Sequence, residues 1–285
     1  MFTDIDLARF RRDGFLVARS LLPETPILRA LLAIDRLLCA RAPEFTPSAP
    51  HLVRDEIHAK LLALAVKDRR ALGVVYDAAR KVLPFWELLG SAELTTAANE
   101  LLESDDVGLA FRGAGIRLDI PGEHHWRSTW HQEYHAQISS PRGFVAWIPF
   151  VDVTHSMGPV EIARGSHHVG VLPVRAHDPL NRGRDYTKTF EIPDAAHIAA
   201  QHLIATVETR PGDVVFLDFL TLHQSGWNQS RDRVRISGQA RFFDMAHPTA
   251  IDHGWVGGLH EGGDFTALHP ELVLDDDARM LGGER

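Results

Sequence analysis

From residue 107 onward the chain is written in short runs of β-forming residues, each closed by Gly or Pro, and this texture limits the fold more than any other feature. The runs cover 107–120, 126–139, 143–153, 160–163, 214–220 and 234–244, with Pro121-Gly122, Met157-Gly158-Pro159 and Pro211-Gly212-Asp213 among the turns. β-branched and aromatic residues suit a pleated, half-buried surface, and Gly and Pro interrupt it. Short strands without interleaved helices describe an antiparallel sandwich or barrel rather than a parallel α/β sheet. The first hundred residues read differently. Thr3 or Asp4 caps a helix that Gly14 ends, Phe15-Leu16-Val17-Ala18 is strand-like, and Ile27, Leu28, Leu31, Leu32, Ile34, Leu37 and Leu38 recur at helical spacing. A Pro-rich break at 42–50 precedes more helical sequence up to about residue 102. No Gly/Ser-rich or charged linker divides the two halves. The expectation is one mainly β domain, with helical support in 1–105, a β-core in 106–250 carrying an insertion at 174–205, and a C-terminal tail in 251–285.

Composition narrows the function classes. The 285 residues carry a formal charge of −8 and a pI of about 6.1, so no overall basic character points to nucleic acid or an anionic membrane. No stretch approaches the roughly 18 continuous apolar residues of a membrane span, and the N-terminus lacks the basic and apolar regions of a secretory leader. A cytoplasmic protein is expected. Cys39 is the single cysteine, expected as a reduced, buried packing residue in an apolar helix.

Within the β-rich half, Trp130-His131-Gln132-Glu133 carries chemistry. On a strand, His131 and Glu133 point to one face and Gln132 to the other. Paired with a distant His223, they form the two-histidine, one-carboxylate set that holds iron(II) on one face and leaves the other positions open. Alone, a His-x-Glu pair is a weak signal, since both residues are common on half-exposed strands. A zinc-protease reading would use His131 and His135 with Glu133 as base. That signature places glutamate directly after the first histidine, where this chain has Gln132.

The blocks around the pair carry a resemblance. Asp6-Leu7-Ala8-Arg9-Phe10-Arg11-Arg12-Asp13-Gly14-Phe15-Leu16-Val17, Ile120-Pro121-Gly122, Trp130-His131-Gln132-Glu133, Ala146-Trp147-Ile148, Asp152-Val153-Thr154, Gly165-Ser166-His167, Arg210-Pro211-Gly212-Asp213-Val214-Val215-Phe216 and Leu222-His223-Gln224-Ser225-Gly226-Trp227-Asn228 resemble, in order, those of the phytanoyl-CoA dioxygenase family of iron(II)- and 2-oxoglutarate-dependent oxygenases. The resemblance implies a double-stranded β-helix core of jelly-roll type. It also implies iron(II), 2-oxoglutarate as cosubstrate and dioxygen, with succinate and carbon dioxide released as a small-molecule substrate is hydroxylated. Residue by residue, it makes His131, Glu133 and His223 the iron ligands. Glu133 is a departure, because the family usually has aspartate there, and the presence of a carboxylate argues against halogenation.

The same resemblance implies an arginine for the distal carboxylate of 2-oxoglutarate, a group that a guanidinium binds bidentately. The family's spacing falls on Val234, so Arg233 is the expected partner if one residue has been lost from the turn. Arg235 competes, because Arg235-Ile236-Ser237 resembles an Arg-x-Ser cosubstrate motif. Ser225 and Trp147 match positions beside the cosubstrate. Arg127, Tyr134, His135, Gln137 and Arg241 are candidates for lining a pocket suited to a small polar or carboxylated substrate. Desaturation, ring closure or epimerisation on the same site remain open, as does a non-catalytic metal- or ligand-binding barrel.

Overall fold

A computed structural model describes residues 1–176, 190–256 and 263–274. The N-terminal helix α1 (Asp4–Asp13) starts where sequence chemistry places it. The Thr3 hydroxyl accepts from the Asp6 amide, and the Asp6 carboxylate accepts from the Thr3 amide, a reciprocal capping box. It ends at Gly14, whose left-handed φ of 74° suits glycine. Here Gly14 does more than stop a helix. Its carbonyl accepts from the Thr221 hydroxyl at 2.8 Å and from the Asp218 amide at 2.9 Å, and a Cβ would lie 2.2 Å from Thr221 Oγ1. The helix end is thereby tied to the turn that delivers His223.

After β1 (Phe15–Ala18) come α2 (Glu24–Arg41), α3 (Val53–Lys67), α4 (Arg69–Ala79), α5 (Leu83–Leu89) and α6 (Ala92–Leu102). The α2 face made by Ile27, Ala30, Leu31, Ile34 and Leu38 is fully buried, as its spacing requires. Burying a Leu or Ile contributes about 1.5–3 kcal/mol. Asp35 lies on that face as well, and is satisfied there by the Lys60 ammonium at 2.6 Å and the Ser48 amide at 2.7 Å. Cys39, expected to be buried, is only partly so.

The β-rich half supplies β2 (Val107–Leu109), β3 (Gly115–Asp119), β4 (Gly143–Pro149), β5 (Val160–Ala163), β6 (Arg175–Ala176), β7 (Phe190–Glu191), helix α7 (Ala195–Ala199), β8 (Ile204–Thr206), β9 (Val214–Asp218), β10 (His223–Ser225) and β11 (Arg235–Asp244). The larger sheet runs β1-β9-β4-β11-β2, with β3 also on β11, and the smaller runs β10-β5-β8, every pairing being antiparallel. Trp147 and Val215 of the larger sheet meet Val160 and Ile162 of the smaller across one narrow gap, so the sheets face each other as in a jelly roll. Helix α4 lies against β3, and α6 against β2 and β11.

Three expectations change. The core is β, but helix takes more of the described residues than strand, so the chain is not mainly β. The run 107–120 is two strands, which pair with successive halves of β11 and are separated by a 3-10 turn at Phe111–Gly113. The run 126–139 is hardly strand at all: His131 forms one isolated bridge with His223, and Glu133–His135 is a 3-10 turn. The Gln132 amide explains the break, since it donates to the carbonyls of Gly170 and Leu220 and accepts from the Leu172 amide, replacing a ladder with side-chain bonds. The 251–285 tail contributes α8 (Pro248–Asp252) at its start and α9 (Gly263–Leu268), from which Phe265 packs on Tyr134, His135 and Phe190. Much of the 174–205 insertion and the last eleven residues lie outside the described ones.

Candidate metal and anion site

His131 and His223 face each other from two segments that exchange both backbone hydrogen bonds at 3.1 Å. Their Nδ1 atoms lie 2.6 and 2.9 Å from the carbonyls of Thr129 and Thr221. A carbonyl can only accept, so each Nδ1 carries the ring hydrogen and each Nε2 keeps its lone pair. Burial lowers both imidazole pKa values, His223 to about 3, so both rings are neutral near pH 7. Glu133 Oε2 faces these lone pairs, 3.9 Å from His131 Nε2 and 4.0 Å from His223 Nε2. Burial works against the charged carboxylate. The Arg241 guanidinium outweighs it and holds the pKa at about 2.

Three ligand atoms, all acceptors, thus lie within 4.8 Å of one another. Unscreened acceptors repel, and a cation between them would relieve that repulsion. Two imidazoles and a carboxylate are a donor set that suits iron(II). Each Nδ1–H bond to a carbonyl is the outer support that metal-binding histidines need. His135 takes no part, because its Nε2 bonds the Leu172 carbonyl at 2.9 Å, which removes the zinc-protease reading.

The inner face of β11 continues from Arg241 through Gln239 and Ser237 to Arg235, alternate residues as pleating requires. Arg235 is 3% exposed. It donates to the Asp119 carboxylate through Nε at 3.2 Å, with NH2 in ion-pair contact at 3.1 Å, and to the Gly226 carbonyl through NH1 at 3.2 Å. Arg117, the cross-strand partner of Ser237 on β3, also donates to Asp119, at 3.0 Å. Burial opposes ionisation of Asp119, but Arg117 and then Arg235 hold its pKa down to about 2. Ser237 is fully buried, and its hydroxyl has no partner among the described residues. An orphaned hydroxyl beside a guanidinium whose NH1–NH2 edge retains hydrogens fits the carboxylate of 2-oxoglutarate. Trp147, 6% exposed, is the cross-strand partner of Gln239, and Ser225 pairs with Val160 on the opposite sheet.

Arg233 goes elsewhere. Its side chain is 48% exposed and pairs with Asp55 of α3 at 3.3 Å, on a separate cavity of about 420 Å³ that His58, Asp152 and Thr154 also line. Arg233 precedes β11, whereas Arg235 is its first residue; Val234 between them marks the step from turn to strand, and its amide donates to His58. Of the other candidates, the Tyr134 hydroxyl bonds His269, Arg127 is partly exposed, and Gln137 is buried. Arg117 and Asp119 were not singled out by sequence reasoning. Their signal was faint: a charged pair two apart, beside a strand carrying Arg235 and Ser237 in the same alternation.

Comparison with known proteins gives this geometry a family. The model of the phytanoyl-CoA dioxygenase family matches residues 10–237. The ectoine dioxygenase of Bordetella bronchiseptica is 25% identical over 230 residues, which cover 78% of this chain and 69% of that protein. Among solved structures, the epimerase SnoN from nogalamycin biosynthesis, in complex with Fe3+, α-ketoglutarate and a nogalamycin compound, aligns with a TM-score of 0.58 at 20% identity over 86% of each chain. EvdO2 from Micromonospora carbonacea var. aurantiaca, complexed with 2-oxoglutarate, aligns with a TM-score of 0.55 at 19% identity over 86% of this chain and 91% of its own. EctD from S. alaskensis with bound Fe gives 0.53 at 19% identity, over 86% and 78%. No helix among the described residues is long and apolar enough to cross a membrane. The chain belongs to the phytanoyl-CoA dioxygenase family, and it is a non-haem iron, 2-oxoglutarate-dependent oxygenase.

Proposed function

We propose that this oxygenase hydroxylates an unactivated C–H bond of a small polar metabolite or natural-product precursor, using His131, Glu133 and His223 as the iron ligands and Arg235 with Ser237 as the seat of the 2-oxoglutarate distal carboxylate. Iron and 2-oxoglutarate, when bound, supply an oxidant able to break such a bond, with succinate and carbon dioxide as coproducts. The chain's own part is to orient. The Thr129 and Thr221 carbonyls hold the two imidazoles with their lone pairs inward, and Glu133 adds one negative charge between them. Arg235, fixed by Asp119 and the Gly226 carbonyl, offers a pre-set guanidinium edge, so little rotamer freedom is lost on binding. Trp147 and Val215 would offer an apolar wall to the cosubstrate, and Ser225 would add a hydroxyl on the opposite sheet. Arg233 is assigned no cosubstrate role.

The observation that carries this reading is the convergence of three acceptor atoms, with no donor among them, at one end of a β11 face whose other end carries a buried guanidinium and an orphaned hydroxyl. The ectoine dioxygenase relative supports a small polar substrate. We read 1–285 as one domain acting in the cytoplasm, where a lone thiol such as Cys39 stays reduced. The test is a succinate-release screen across amino acids, other small acids and neutral lipophilic compounds, with His131→Ala as blank. Hydroxylated product from a polar substrate is expected. Stimulation by lipophilic compounds alone would overturn the substrate class, and an epimerised or cyclised product would overturn the hydroxylation.

A further inference from the structure

We propose that Arg241 is a positioning residue, a clamp that allows this chain to use glutamate as its carboxylate ligand and makes Glu133 present a single oxygen to the metal. The inference rests on the metal reading above. Glutamate has one more rotatable bond than aspartate, and an unrestrained carboxylate would lose that freedom each time it bound. Arg241 removes the freedom in advance. Its Nε donates to Glu133 Oε1 at 2.9 Å, and its NH2 approaches Oε2 at 3.3 Å.

The guanidinium is itself held. NH1 donates to the Gly113 carbonyl, and NH2 donates to Gln239 Oε1 at 3.3 Å. Gly113 ends the 3-10 turn that splits 107–120 into two strands, and this break turns its carbonyl toward the barrel. A Cβ at Gly113 would come within 3.0 Å of Arg241 Cδ and 2.8 Å of Gln137 Nε2, so only glycine lets the arginine lie here without displacing a neighbour. The side chains of Arg241 and Glu133 are 10% and 6% exposed. A buried ion pair is expensive to desolvate and is often replaceable by apolar packing, so one fitted this closely needs another reason to be there.

The geometry supplies the reason. Oε1 takes the shorter of the two bonds between Glu133 and Arg241, while Oε2, more loosely held, is the atom facing both histidines. A carboxylate that swung round to bind through both oxygens would fill two metal positions. Held by the arginine, it fills one and leaves the remaining positions open.

The experiment is anaerobic titration of metal-free protein with cobalt(II) or iron(II), by calorimetry and by the cobalt visible spectrum. The proteins are wild type, Arg241→Met, Arg241→Lys, Glu133→Asp, each arginine variant combined with Glu133→Asp, and His131→Ala as a control. Arg241→Met is expected to loosen the metal about tenfold, and Arg241→Lys to recover only part, since an ammonium cannot span both oxygens as a fork. In the Glu133→Asp background the same changes should cost less than about twofold, because the shorter side chain cannot reach both partners. Equal losses in both backgrounds, or no loss in wild type, would overturn the clamp. If Arg241→Met does not fold by circular dichroism, the lysine pair is read by the same criterion. Metal binding by wild type no tighter than by His131→Ala would instead sink the metal reading itself.

Discussion

Arg241 and Arg235 lie on the same face of one strand, both buried and both paired with a carboxylate, yet their surroundings ask for opposite charges. At the Arg241 end the carboxylate faces two imidazole lone pairs, and acceptors outnumber donors at the point of convergence. At the Arg235 end two guanidinium groups share Asp119, and an unpartnered hydroxyl stands beside them. On the function proposed above, the same ion-pair chemistry prepares a cation site at one end and an anion site at the other. A ligand that chelates metal through one end and carries a free carboxylate at the other is oriented by that reversal alone.

The comparison can be broken from either end. The largest effect is expected at the metal: His223→Ala removes one of three ligands and should lower substrate-dependent succinate release by more than about 10³-fold, with metal affinity falling in parallel. At the anion end, Arg235→Met should weaken 2-oxoglutarate about 100-fold, roughly 3 kcal/mol for a lost bidentate charged pair, while metal binding in the absence of cosubstrate stays unchanged. Arg233→Met, on an exposed pair, should change it less than about twofold. Similar effects from both arginines would erase the distinction between the barrel interior and the α3 side. Ser237→Ala should cost about three- to tenfold in 2-oxoglutarate affinity and nothing in metal affinity.

A third carboxylate sharpens the point because its neighbours are the Leu220 amide and His168 rather than a guanidinium. Burial raises the Asp218 pKa to about 6 against an ordinary value of 3.8. A carboxyl raised in the fold stabilises fully below its unfolded value and loses that contribution as pH climbs through about 6. Asp218→Asn keeps an acceptor for the Leu220 amide and removes the charge. Thermal melts should show the variant about 1 kcal/mol more stable than wild type at pH 8, allowing for partial exposure, and equal to it near pH 4. A stability gain equal at both pH values would show that charge burial at Asp218 is not the cause.

What could be read from the sequence follows the range of the forces involved. The α1 capping box, the Gly14 stop and the α2 face are local, and Thr3, Gly14 and Ile27 announced them. His131, Glu133 and His223 were legible through the ordered blocks around them, although the strand assumed for 126–139 is absent. Their convergence comes instead from the His131–His223 bridge and the bonds of Gln132 to three backbone groups, none of which a period-two pattern encodes. The preference for Arg233 assumed one residue lost from the turn; Arg233 and Arg235 share strand parity, so alternation could not separate them, and what does is the start of β11 at Arg235. Arg117, Asp119 and the clamp role of Arg241 depend on contacts across 116 and 108 residues of chain, so no local window contains them.

The most direct test of the two-ended site is anaerobic titration of the iron(II)-loaded protein with 2-oxoglutarate, following the visible charge-transfer band. Wild type should saturate; Arg235→Met should reach the same plateau only at about 100-fold higher 2-oxoglutarate, and His131→Ala should give no band. A band that saturates at the same concentration in Arg235→Met, or no band in wild type, would contradict the account.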